Sequence, residues 1–181
     1  MLVESGLVRA TAGDGTVYAF RPSLGRIASL GSPSEIVALF ASLHGPHAEA
    51  DASYVLACLC DQEDPTPLIG WRDEAGYHAG EMTPAEQVII ARHLMRHGIV
   101  GKASPDAGGG EYSAEFHAAE YIAAARVHLG LSSDDASGLS MTEFQTMFEM
   151  KFPKAGGGKR DVPSREEYEA TMKVFEERAR G

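Results

Sequence analysis

With 181 residues, 44% apolar and 23% charged, the chain has room for one domain plus an appendage, and it can bury a full core without metals or disulfides. Its net charge of −10 argues against general nucleic-acid binding and against docking on anionic membranes, because an acidic body repels phosphate. The two cysteines, Cys58 and Cys60, stand two apart in an expected helix and point to different faces, which argues against a mutual disulfide and for a reducing compartment.

Residues 2–21 read as a β-hairpin. Val17-Tyr18-Ala19-Phe20 is its second strand, Gly13-Asp14-Gly15 its positive-φ turn, and Arg21-Pro22 its end. Ser23 to Leu30 is expected to be a short helix with Leu24, Ile27 and Leu30 on one side. Ser32-Pro33-Ser34-Glu35 is a capping box with proline at the first helical position, and Ile36, Leu39, Phe40 and Leu43 form the stripe of the helix that follows. Gly45-Pro46 stops it. A third helix is expected over Asp51–Asp61, with Tyr54, Val55, Cys58 and Leu59 facing inward.

Prolines and glycines break 62–82 into loop, with a short strand near Leu68 to Trp71. A second capping box, Thr83-Pro84-Ala85-Glu86, opens a helix to His97 that Gly98 closes. Ser104–Gly110 reads as a loop, Ser113 as the cap of a long helix through Leu129, Ser132–Gly138 as a polar turn, and Met141–Phe152 as the last helix of the body. The expected class is α+β, mainly α-helical, with the hairpin segregated from a compact helical bundle.

The ending carries the strongest pattern. After a body over 1–153, a basic, glycine-rich linker over 154–163 leads to an amphipathic segment over 164–181. Ser164-Arg-Glu-Glu167 is a third capping box. Tyr168, Met172, Phe175 and Ala179 make one apolar stripe at helical spacing. From Lys154 onward, seven basic and six acidic residues leave the tail near +1 and the body near −11. So short a helix is marginal alone in water, so it should dock on its own body, on a second copy or on a partner.

Catalytic motifs are weak. His93 and His97 have metal-ligand spacing, but His93-Leu-Met-Arg-His97 lacks the glutamate of a zinc-protease helix. They read as half-exposed histidines whose positive rings suit a helix C-terminus. His44, His47, Cys58 and Cys60 do not have zinc-finger spacing, and the cysteines read as core residues. Gly108–Gly110 and Gly156-Gly-Gly158-Lys159 lack the phosphate-loop pattern. Asp73-Glu74 and Asp134-Asp135 sit in polar turns without a partner to tune them. Trp71, the sole tryptophan, is either an interface anchor or a core plug, with the core reading favoured. Catalytic residues, metals and cofactors are therefore expected to be none. The candidate partner-binding residues are Tyr168, Met172, Phe175, Trp71, Phe144 and Phe148.

The whole pattern resembles a phage tail assembly chaperone of long-tailed phages. The resemblance rests on Phe20-Arg-Pro-Ser23 with Gly31-Ser-Pro-Ser-Glu-Ile-Val37, on Ala118-Ala-Glu-Tyr-Ile122 through Leu139-Ser-Met-Thr-Glu-Phe144 to Lys151-Phe-Pro153, and on Gly158-Lys159 before an appended tail. It implies binding to the tape-measure protein, whose long helices expose apolar faces, and recruitment of tail-tube protein. It also implies a place in the host bacterial cytoplasm and absence from the mature virion, and homo-oligomers are compatible with it. Neither a basic start before an apolar run nor a stretch of membrane-spanning length is visible. A structural connector or tail-completion protein is the alternative, and a small metal-dependent enzyme built on His93 and His97 a more remote one.

Overall fold

Alternating residues at the N-terminus pair as a hairpin, β1 (Val8–Thr11) antiparallel to β2 (Val17–Phe20), with Val8 opposite Phe20 and Thr11 opposite Val17. The Ala12 amide donates to the Thr16 carbonyl (2.8 Å) and the Thr16 amide to the Asp14 carboxylate (2.8 Å), while Gly15 takes φ of 89°. Gly15 alone supplies the positive φ there, not Gly13. Tyr18 and Phe20 are buried in the core.

The outer edge of β2 is sealed. The Asp61 amide donates to the Ala19 carbonyl (2.7 Å) and the Arg21 amide to the Leu59 carbonyl (2.8 Å). The Gln62 side chain accepts from the Ala19 amide (3.0 Å) and donates to the Val17 carbonyl (2.8 Å), standing in for a third strand.

This is a computed structural model, and it describes residues 5–102 and 114–153. The chain divides into two units, Met1–Lys151 and Phe152–Gly181. The linker over 154–163 and the tail stripe Tyr168, Met172 and Phe175 lie outside the described residues, as do Ser104–Gly110 and Ser113.

Helices follow the hairpin: α1 (Leu24–Ala28), α2 (Pro33–Ser42), α3 (Ala48–Leu59), the single turn α4 (Thr66–Ile69), and α5 (Pro84–Met95). Between α4 and α5 lies a second hairpin, β3 (Trp71–Asp73) paired with β4 (Gly76–His78). Then come α6 (Ala118–Ala124), α7 (Ser133–Gly138) and α8 (Met141–Lys151). The fold is α+β and mainly helical.

Both described capping boxes form. The Ser32 amide donates to Glu35 (2.8 Å) and the Thr83 amide to Glu86 (2.9 Å), each box contributing about 1 kcal/mol. A further box, Ser140 with Glu143, starts α8: the Ser140 amide donates to Glu143 (2.9 Å) and the Glu143 amide to the Ser140 hydroxyl (3.2 Å).

Several expectations are corrected. The strand expected at Leu68–Trp71 begins only at Trp71, because Leu68 and Ile69 belong to the α4 turn. Gly98 does not close α5: a π-type turn, Arg96–Val100, continues it, and Gly101 ends it with φ of 75°. Gly98 instead lets Ile27 approach, since a Cβ there would lie 2.6 Å from Ile27 Cδ1. The long helix starts at Ala118, because 114–117 is not helical. Ser132–Gly138 is not a turn but α7, capped by the Ser132 hydroxyl, which accepts from the Asp135 amide (3.1 Å). On α3 the buried face is Ala52, Val55, Leu56 and Leu59, whereas Tyr54 is exposed and donates its hydroxyl to the Leu30 carbonyl (3.0 Å).

The core centres on two packings. α3 lies on α5, whose buried residues Gln87, Val88, Ala91, Leu94 and Met95 recur at helical spacing. α1, with Leu24 and Ile27 fully buried, sits against α6 and α7.

Candidate functional site

The stretch read as loop, 62–82, builds one wall of a groove. The Gly70 amide closes α4 on the Thr66 carbonyl (2.8 Å), and Gly70 and Gly80 then meet backbone to backbone. This approach lets the Met82 amide donate to the Leu68 carbonyl (2.8 Å) and the Glu81 amide to the Pro67 carbonyl (3.1 Å). Gln87, fully buried on α5, locks the arrangement. Its amide nitrogen donates to the carbonyls of Ile69 (2.7 Å) and Met82 (3.0 Å), and its oxygen accepts from the Ser53 hydroxyl (2.7 Å). A buried amide is stable only when so satisfied.

The groove has a volume of about 340 Å³. Leu68, Met82 and Ile90 give it an apolar lining, and Ala10 and Thr11 of β1 border it. Ile89 stands at the groove 66% exposed. Glu81 and Glu86 supply negative charge. Glu81 accepts from the Gly13 amide (2.5 Å), which ties the hairpin turn to this wall. The hydroxyl and backbone of Thr83 hold the Glu86 carboxyl below its ordinary range.

β1 presents an open edge here. The Ala12–Thr16 bond sets the phase of the ladder, so Val8, Ala10 and Ala12 bond toward β2 while Arg9 and Thr11 turn their amides and carbonyls outward. Among the described residues nothing pairs with them.

A second hollow, about 440 Å³, lies by Leu39 and Tyr54 between α2 and α3. Its Tyr54 hydroxyl is engaged on the Leu30 carbonyl, and no strand residue lines it.

The candidate residues from sequence are scattered. Trp71 is not a core plug: it is 49% exposed and stacks on His78, ring centres 3.9 Å apart and planes at 9°. His78 Nε2 lies 3.1 Å from Asp73 Oδ1 but out of hydrogen-bonding alignment. Phe144 is only 7% exposed and packs on Tyr121 and Phe148, which makes it core rather than contact surface. Phe148 is half-buried beside it. Tyr168, Met172 and Phe175 lie outside the described residues.

His93 and His97 do come together, ring centres 4.6 Å apart, and His97 Nδ1 bonds Thr142 Oγ1 (2.8 Å). Neither is a positive cap. Burial first, then Arg96, pushes His93 below the usual imidazole range; burial, His93 and Arg96 do the same to His97. Among the described residues no group of three histidine, cysteine or acidic side chains is placed to hold a metal ion. His44 Nδ1 instead contacts the Phe40 carbonyl (3.2 Å), and the buried Cys60 thiol donates to Gln62 (3.3 Å).

A pH dependence follows. Rings with depressed pKa favour the fold fully above the ordinary value of 6.5. Below it the unfolded chain binds protons first, and that stability is lost. A His93→Gln, His97→Gln double variant is expected to show a flatter fall in urea midpoint between about pH 7.5 and pH 5 than the parent. An unchanged slope would contradict the assignment.

Sequence reasoning passed over Ile89. The signal lay in the α5 periodicity: Gln87, Val88, Ala91, Leu94 and Met95 complete the buried face, and Ile89 falls off it.

The fold and groove define a mainly helical α+β protein with an apolar, acid-flanked surface beside an open strand edge. The chain belongs to DUF6246, a family of unknown function, whose model matches residues 45–170. That span holds the helical side of the groove, from Leu68 to Ile90, while Ala10 and Thr11 precede it. No curated protein and no solved structure matches the chain. Among the described residues no helix is long and apolar enough to cross a membrane.

Proposed function

We propose that this protein is a non-enzymatic tail assembly chaperone that holds an apolar segment of a tape-measure protein and helps bring tail-tube protein to it. The observation that carries the reading is Ile89, a large aliphatic side chain left in water at an apolar groove on an otherwise acidic protein. An aliphatic surface that the fold itself does not cover suits a guest that covers it. The net charge of −10 keeps such a complex in solution while the guest awaits assembly. The reading places the protein in the host cytoplasm and outside the finished virion.

Co-expression with the tape-measure protein of the same genome tests this. The chain is expected to raise the soluble fraction of that protein, and Ile89→Asp to abolish the gain. Because Ile89 is exposed, the substitution should change stability by no more than about 0.5 kcal/mol. Losing the burial of one isoleucine at a contact is worth about 2 kcal/mol, roughly thirtyfold in affinity. Tape-measure solubility that does not respond to the chain would refute the proposal.

A further inference from the structure

We propose that the groove takes its guest as an extended strand, added to the open edge of β1, with an apolar side chain over Ile89 and Met82 and a basic one toward Glu81 and Glu86. This rests on the reading of the groove as a binding surface and specifies the guest's conformation and chemistry.

The hairpin's two edges are treated differently. Three hydrogen bonds from Asp61 and Gln62 seal β2, and the Arg21 amide just beyond it donates to Leu59. On β1 the outward amides and carbonyls of Arg9 and Thr11 stand two residues apart, the spacing at which a neighbouring strand pairs. A short strand with a charged residue is also how proteins blunt an edge, and Arg9 fits that role. Blunting does not call for an apolar groove beside the edge, nor for an isoleucine exposed there.

An amphipathic helix, the form of guest that the tape-measure resemblance implies, satisfies its own backbone and would gain nothing from the outward amides and carbonyls of Arg9 and Thr11, so the segment held here is a non-helical one. An extended segment uses the edge for affinity and the groove for selectivity. The two glutamates, on a chain of net charge −10, select a guest with positive charge among its apolar residues.

The test uses the full chain, ¹⁵N-labelled, and a capped hexapeptide of alternating lysine and valine, with a control peptide N-methylated at alternate residues. The unmodified peptide is expected to shift the Arg9 and Thr11 amides and slow their hydrogen exchange. N-methylation, which removes guest donors without touching the protein, should weaken binding by about fivefold or more. Thr11→Pro removes one outward amide without touching the bonds from β1 to β2 and should weaken it similarly, and Ile89→Asp should weaken it too.

Binding that Ile89→Asp weakens but N-methylation and Thr11→Pro do not would overturn the strand and leave the groove reading intact. Binding indifferent to all three would overturn both. No binding of the peptide would overturn the strand. So would Arg9 and Thr11 amides already protected in the free monomer, since the chain then covers its own edge. Concentration-dependent self-association that Thr11→Pro abolishes would also overturn it, naming a second copy as the occupant.

Discussion

Gly70→Ala is expected to destabilise the protein by about 4 kcal/mol or more and to dismantle the groove wall. Gly70 holds φ of 78° and ψ of −176°, a region open essentially to glycine alone. Backbone strain is only part of the cost. A Cβ at this position would run into the His78 carbonyl oxygen and the Gly80 amide, both backbone groups that no rotamer change can move. Relief requires separating α4 from the strand end, and that breaks the Met82–Leu68 bond that sets two groove residues side by side. Urea denaturation followed by circular dichroism reads the loss. A variant within about 1 kcal/mol of the parent would show that this turn is not held as described.

Gln87→Leu is the second large effect. The substitution keeps the volume of a fully buried side chain and removes its polar end. It orphans the Met82 carbonyl, and it takes one of two partners from the Ile69 carbonyl, which keeps the Tyr77 hydroxyl, and from the Ser53 hydroxyl, which keeps the Glu49 carbonyl. One orphaned buried carbonyl costs about 1–3 kcal/mol, and the two lost second bonds add to it, so a loss of about 2 kcal/mol is expected. Gln87→Glu separates polarity from shape. It retains an acceptor for Ser53 but, when ionised, turns a carboxylate toward two carbonyls, so it should be at least as damaging at neutral pH. Were Gln87→Leu neutral, Gln87 would not be the staple between α5 and the groove wall.

How far the sequence could be read depended on which interactions decide each element. The capping boxes at Ser32 and Thr83 were legible because a cap is a local bond between residues three apart, and both helices start where the motif places them. The hairpin was legible for the same reason, through Gly15 and the alternation of Val17–Phe20. What failed was settled by tertiary contact. Gly98 reads locally as a helix stop, yet it is a close approach to Ile27, and the helix runs past it. Residues 62–82 hold enough glycine and proline to look shapeless, but those glycines allow Gly70 and Gly80 to touch and β3 to pair with β4.

The candidate surface was less legible still. Aromatic residues drew attention, and they divide three ways: Phe144 into the core, Trp71 onto an exposed stack with His78, and the tail residues outside what the structure describes. The groove draws its members from β1, α4, the approach to α5 and α5 itself, with β2 and three helices between β1 and α4 in sequence. No local motif joins Thr11 to Ile89. Only the tertiary fold does, by bringing both to the rim of one groove.

We propose that this groove holds the tape-measure protein. Amide hydrogen exchange on the complex purified after co-expression tests it most directly. The account predicts slowed exchange at Thr11 and across Met82–Ile90 on complex formation, with the same amides unprotected when Ile89→Asp replaces the parent chain. A stable complex that leaves those amides unchanged, or no complex at all, would contradict it.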